Sequence, residues 1–325
     1  MQRWTAVWAL CGAAALAAAS FSAAEEPTQD KRPRVELSAG TWISVGDTRW
    51  AHDASSQGFG NPTSKLIYKD VGTNVIDLTG KVWASRRLFA KLNVGFADIG
   101  GGRLTDNDYG AGQQLFSQTT SNISGDSMWY LNADVGARVK EFAHSRGYLD
   151  VFGGYQYWHT KYQAVGVFQV ACNPGAIPAI PPCDPPGTDT NQGQTVITNT
   201  TNWHSLRVGA SSEYRVTRYI GLYGTVALIP VSILDNKDVH HLRSDLQQNP
   251  SFSMTGYGVG ADVDVGGRVT FTRNIAASVG YRLYYNRVLS GHLTNHPVSG
   301  ASQSFPLTQF ESLRHGLTAA LTLIF

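Results

Sequence analysis

Beyond its first two dozen residues, the chain of 325 residues has no run of 18 consecutive apolar side chains, which excludes a bundle of membrane-spanning helices. Charge is also scarce: Asp, Glu, Lys and Arg make up 15% of the residues, with a formal net charge of +2. No basic excess points to nucleic acid, and none is expected as a partner. Cysteine is nearly absent, with 3 in all. One of them, Cys11, sits in the leader, and the residue before it is a poor match to a lipidation site. The remaining two, Cys172 and Cys183, bracket a Pro-rich stretch. In an oxidising compartment that pair reads as one local disulfide shortening a long loop. A metal site would need more ligands than these two thiols.

What the chain has in quantity is glycine (34), tyrosine (14) and tryptophan (8), with 42% hydrophobic residues. The N-terminus carries Arg3, an Ala-rich apolar stretch from Val7 to Ala19, and small residues Ser22 and Ala24 before Glu25. This pattern predicts a secretory signal peptide over residues 1–24, leaving residues 25–325 as one mature domain. The C-terminus alternates Leu317, Ala319, Leu321, Leu323 and Phe325 with Thr318, Ala320, Thr322 and Ile324. A strand with one wholly apolar face ending on an aromatic residue looks like the terminal strand that the barrel-insertion machinery of the bacterial outer membrane reads. Left uncovered in water it would invite aggregation.

Period-two alternation recurs along the chain. From Trp129 to Val139 one face is Trp129, Leu131, Ala133, Val135, Ala137 and Val139, and the other is Tyr130, Asn132, Asp134, Gly136 and Arg138. Successive strand side chains point to opposite faces, so one face is apolar and the other polar and charged. Similar alternation near residues 35–43, 75–82, 88–96, 149–157, 206–210, 220–228, 259–265 and 275–283, with the final strand, gives about ten strands. Short connections near Arg86-Arg87, Ser145-Arg146, Thr217-Arg218 and Thr272-Arg273-Asn274 alternate with long polar stretches near 47–63, 99–126, 167–200, 235–252 and 287–308. The prediction is an all-β, ten-stranded antiparallel transmembrane β-barrel of a Gram-negative outer membrane, with short periplasmic turns, long outer loops and periplasmic termini.

Fold does not imply function, so the outer stretches must decide. Two contain acids or a His two positions apart: Asp106 and Asp108 after the third strand, and Asp238 and His240 after the seventh. If these stretches continue their strands, each pair shares a face, and the two strands lie roughly opposite in a ring of ten. A His oriented by a carboxylate can serve as a general base near neutral pH. Two close carboxylates opposite it would repel, leaving one protonated and able to steady a developing oxyanion. The same four residues could instead hold a cation through hard oxygen ligands and one imidazole. No metal is expected on balance, because an Asp-x-Asp in a polar loop is more often a solvated turn.

Here the chain resembles the omptin family of outer-membrane proteases. The run Gly101-Gly102-Arg103-Leu104-Thr105-Asp106-Asn107-Asp108-Tyr109 resembles that family's segment after strand three, and Asp238-Val239-His240 its Asp-x-His after strand seven. Gly154-Tyr155-Gln156 with Tyr162, and Ser64-Lys65-Leu66-Ile67-Tyr68, are similar to two further family segments. The resemblance implies an endopeptidase that activates a water with the Asp–His pair. His240 would be the base, Asp238 its partner, and Asp106 and Asp108 the opposing carboxylates, without a metal or covalent intermediate. It implies lipopolysaccharide as a required lipid partner, beside other outer-membrane lipid, and a peptide or protein as substrate. Omptins read basic substrate residues through acids in the mouth. Here one of those positions is Asn236, so Asp235 and Asp47 are the nearest candidates. The competing readings are a non-catalytic barrel acting as adhesin or scaffold, and a small pore lined by Asp134, Arg138, Asp262, Asp264 and Arg282.

Overall fold

The computed structural model describes residues 35–144, 146–178 and 180–325. The predicted signal peptide and the charged segment at 25–34 therefore lie outside the described residues. Eleven antiparallel strands form one closed sheet: β1 (Val35–His52), β2 (Phe59–Trp83), β3 (Leu88–Gly110), β4 (Gln114–Ile123), β5 (Ser127–Phe142), β6 (Gly147–Cys172), β7 (Asp189–Arg215), β8 (Ile220–His240), β9 (Phe252–Thr270), β10 (Ile275–Asn295) and β11 (Gln303–Ile324). β1 pairs with β11 from Glu36↔Ile324 to His52↔Leu307, which closes the ring and leaves no free edge.

The ring nevertheless has ten staves. β3 pairs with β5 along Leu88–Asp98 and with β4 along Gly102–Gly110, so β4 and β5 are two parts of one stave. The break at residues 124–126 holds Gly125 at φ 107° and Asp126 at φ 99°, a left-handed region that glycine enters without steric cost. The short turns sit where the sequence puts them, at 84–87, 143–146, 216–219 and 271–274. The long polar stretches do not remain loops. Residues 99–110, 189–200, 235–240 and 287–295 are strand, and the barrel continues well past its apolar band. Apolar alternation marks a strand only where lipid covers one face. Higher up, the inward face mixes apolar Leu66, Leu104, Leu234 and Leu293 with Asp and Asn, and the alternation no longer stands out.

The band is plain on the exterior, where Leu206, Leu228, Val279 and Leu317 are each more than half exposed. Such a continuous apolar surface requires lipid rather than water around it. Inside, the charges pair. Arg282 meets Asp77 at 2.7 Å and Asp264 at 3.0 Å, Asp150 takes Arg138 at 2.8 Å and Lys81 at 2.9 Å, and Arg207 meets Asp262 at 3.4 Å. An aromatic layer lies across the lumen, with Trp158 stacked on Tyr284 at 3.9 Å and on Tyr130 at 5.0 Å between ring centres. The charges proposed to line a water path thus plug a packed interior. Pairing is what keeps so many charges tolerable there.

Bulges decide which residues face the mouth. In β8 the lower half points Val226 and Leu228 outward, and Ala227 and Ile229 inward. Between Ile229 and Ser232 the strand gains one residue against β9, and the same extra residue appears against β7. Pro230, with no N–H to give the ladder, sits in that bulge. Above it the parity is reversed: Leu234, Asn236 and Asp238 are buried inward, whereas Val231 and Ile233 face out. β3 makes the same reversal at Gly100, where Ile99 and Gly101 flank one extra residue against β2. Deleting Pro230 removes the extra residue and joins inward Ile229 to outward Val231, so it should keep Asp235 outward and Asp238 inward, whereas deleting Ile233 with the bulge retained should exchange them. A bulky membrane-impermeant maleimide should label Asp235→Cys but not Asp238→Cys in the parent barrel and in the Pro230 deletion, and the reverse in the Ile233 deletion. An exchanged labelling pattern in a folded Pro230 deletion would refute the bulge as the cause.

Candidate functional site

Because β3 and β8 both reverse parity, their upper halves aim side chains into the mouth. Asp106, Asp108 and His240 line one cavity of about 660 Å³, and Asp238 is fully buried beside His240. The four residues that the sequence pairs two by two are thus brought around one crevice. Asp238 accepts a hydrogen bond from Asn199 Nδ2 at 3.0 Å, and the Trp50 indole and Tyr68 hydroxyl also favour its ionised form. His240 Nε2 stands 3.6 Å from Asp238 Oδ1, slightly beyond a hydrogen bond. The backbone N–H of His240 donates to Ser251 Oγ at 3.0 Å, and Phe252 meets the imidazole edge-on at 5.1 Å. These contacts hold the ring from below and behind.

Burial dominates the electrostatics. It pushes Asp238 up to about 7 and His240 down to about 3. The imidazole is therefore neutral at pH 7, the form that can accept a proton. Asp106 is held well above the ordinary carboxylate range, first by burial and then by repulsion from Asp108 and Asp238; Ser64 Oγ, at 3.4 Å, only partly offsets this. Asp108 is raised by burial as well. Two crowded carboxyl groups in a dry site retain a proton between them. Arg243, clamped by Asp245 at 2.6 and 2.7 Å, extends its positive charge toward both.

Two tentative assignments are corrected. Asp47 lies on the outward face of β1, between inward Gly46 and Thr48, and pairs at 3.3 Å with Arg49, itself outward. Asp235 faces outward on β8 with Asn202 as its neighbour at 3.5 Å. Odd-numbered residues in both upper halves point away from the lumen, so neither acid reaches the mouth. The inward position is Asn236, fully buried and bonded to Asn199 at 3.0 Å and Thr201 at 2.8 Å.

Cys172 and Cys183 form the local disulfide, with Cα atoms 5.7 Å apart. Ile177, Ile180 and Pro181, from the loop it closes, line the same cavity. That placement, like the roles of Asn199, Trp50, Arg243 and Ser251, follows from strand pairing between distant segments and has no local signature. Tyr68 and Ser64 did have one, in the Ser64–Tyr68 segment. Among the described residues no three His, Cys, Asp or Glu side chains are arranged to hold a metal ion.

No protein-family model matches the chain, and no curated protein matches it. Among solved structures it is similar to the outer membrane protease OmpT from Escherichia coli, with 15% identity, a TM-score of 0.72, and coverage of 90% of this chain and 96% of that one. The translocator domain of the autotransporter NalP from Neisseria meningitidis aligns at 11% identity over 99% of this chain and 97% of that one, with a TM-score of only 0.35. The chain has an omptin-like outer-membrane β-barrel fold, and its apolar exterior belongs in that membrane.

An acid whose folded pKa exceeds its unfolded one weakens the fold as pH rises between the two. For Asp238 that window runs from 3.8 to about 7, about three units at about 1.4 kcal/mol each, or roughly 4 kcal/mol. Asp238→Asn should thus raise the temperature of the heat-induced mobility shift at pH 8 and lose that advantage near pH 4. A variant less stable than the parent at pH 8 would instead indicate an ionised Asp238 paired with a protonated His240.

Proposed function

We propose that this barrel is an outer-membrane endopeptidase of the aspartic, omptin-like type. The observation that carries the reading is the convergence of Asp106, Asp108 and His240 on one cavity, with Asp238 buried behind the imidazole. In the proposed reaction a water enters between His240 and the Asp106–Asp108 pair. His240, neutral at the working pH, takes a proton from the water as its oxygen attacks the peptide carbonyl carbon. Asp238 orients the imidazole and stabilises the cation that forms, and the attraction strengthens as that charge appears. The proton held between Asp106 and Asp108 is given as a hydrogen bond to the carbonyl oxygen as it becomes negative. The imidazolium then passes its proton to the departing amine, and the C–N bond breaks. No residue becomes covalently attached.

Lipopolysaccharide is the proposed lipid partner. Arg49, held by Asp47 at 3.3 Å and Glu311 at 3.8 Å, and exposed Arg287 flank Glu311 on the outer face and would offer cations to phosphate groups.

The test is refolding the protein with lipopolysaccharide and assaying a peptide library by mass spectrometry, with His240→Ala in parallel. The expected result is endoproteolytic cleavage by the parent and a loss of roughly 100-fold or more in the variant, the usual scale for a general base. The rising limb of the parent's pH profile should fall near 7, where Asp238 ionises, well above the ordinary carboxylate range. Absence of cleavage by the parent, or cleavage untouched by the substitution, would leave a non-catalytic barrel.

A further inference from the structure

Given the peptide-cleft reading above, we infer that the mouth cavity takes a large uncharged side chain of the substrate, aromatic or branched aliphatic, instead of a basic one. The cavity of about 660 Å³ is in the range of ligand-sized sites. His52, Phe59, Phe305, Ile177, Ile180 and Pro181 make up the apolar part of its wall, beside the uncharged Gln57, Thr63, Asn295 and Gln303. His52 and Phe305 lie 5.9 Å apart between ring centres. Burial lowers His52 to about 4, so at neutral pH it presents an uncharged ring to this wall.

The loop that supplies Ile177, Ile180 and Pro181 is anchored by the disulfide. Cys172–Cys183 closes the loop at its base, and Ala176 and Ile177 pack with Phe116 and Phe59 in a small apolar cluster of their own. The loop is thereby pinned to the barrel rim, with apolar side chains turned toward the site. In water, burying a large apolar substrate group against these side chains is the main available source of binding free energy.

Charge argues in the same direction. A basic side chain needs an ionised acid facing it. Asp47 and Asp235 are outside the barrel, and Asn236, at the inward position, already spends its amide on Asn199, Thr201 and the Thr200 carbonyl. Asp245 is engaged by Arg243 through two short contacts. Asp106 and Asp108 face Arg243, whose positive charge opposes an incoming cation at the same rim.

Binding and cleavage should be measured separately. His240→Ala, refolded with lipopolysaccharide, is titrated with capped peptides identical except for one residue, Phe, Leu, Arg or Glu, and Kd is read by calorimetry. The Phe and Leu peptides should bind roughly ten- to a hundredfold more tightly than the Arg peptide, the range an apolar pocket provides. Phe305→Ala and Ile180→Asp, each checked for folding by heat-dependent mobility, should erase that preference without weakening the Arg peptide. Cleavage sites of the parent should carry the same residues beside the cut. Preference for Arg, equal affinities, or no binding by any peptide would overturn the inference. Selective binding of Phe and Leu peptides without cleavage by the parent would uphold it and sink the peptidase reading instead.

Discussion

A single extra residue in a strand exchanges its two faces, and everything in the mouth of this barrel depends on that. Below the bulges β3 and β8 obey lipid: the even-numbered Leu92, Phe96, Val226 and Leu228 are exposed on the outside. Carried upward unchanged, the same parity would set Asp106, Asp108, Asp238 and His240 on the exterior. The run Gly100-Gly101-Gly102 in β3 and Pro230 in β8 reverse it. Glycine lets a strand bend and its neighbour approach closely: a Cβ on Gly102 would fall 2.9 Å from the Lys69 carbonyl oxygen. Proline withdraws one ladder donor. In β8 the apolar exterior continues past the bulge as Val231 and Ile233, so the reversal changes which residues face outward without ending the band.

The interior gives the site its dielectric. A packed aromatic and ionic lumen closes the floor, so water reaches the mouth from one side. Under those conditions burial moves Asp238 and His240 in opposite directions, both toward their neutral forms. The imidazole is neutral beside a carboxyl group poised near neutrality, and a counter-charge for its cation is present only when Asp238 is ionised. The same dryness makes a free carboxylate pair costly, and burial raises both Asp106 and Asp108. The apolar walls and the acid–base groups are therefore consequences of one feature, a crevice shielded from bulk water.

The membrane-facing half was legible because lipid writes an alternating pattern into the sequence; the alternation at 129–139 falls wholly within β5, which runs on to Ser127 and Phe142. The short turns were legible through their polar dipeptides. The upper half carried no such pattern, and strands there read as loops. Asp47 and Asp235 show the limit most clearly. Nearness in sequence suggested a shared site, yet one step along a strand is a move to the other side of the sheet. The Asp and His pairs were visible by spacing, but their facing direction was set by bulges. The break that divides β4 from β5 and the Ile177–Pro181 wall depend on pairings between segments far apart in the chain.

The claim that the two strand tips act on one water is tested most directly by a double-mutant cycle on peptide cleavage, with Asp106→Ala, His240→Ala and the two combined. Residues that serve one chemical step give losses that do not multiply. The double variant should be about as slow as the slower single one. Losses that multiply, each substitution acting in full whatever the other residue is, would show that Asp106 and His240 do not share a reaction centre.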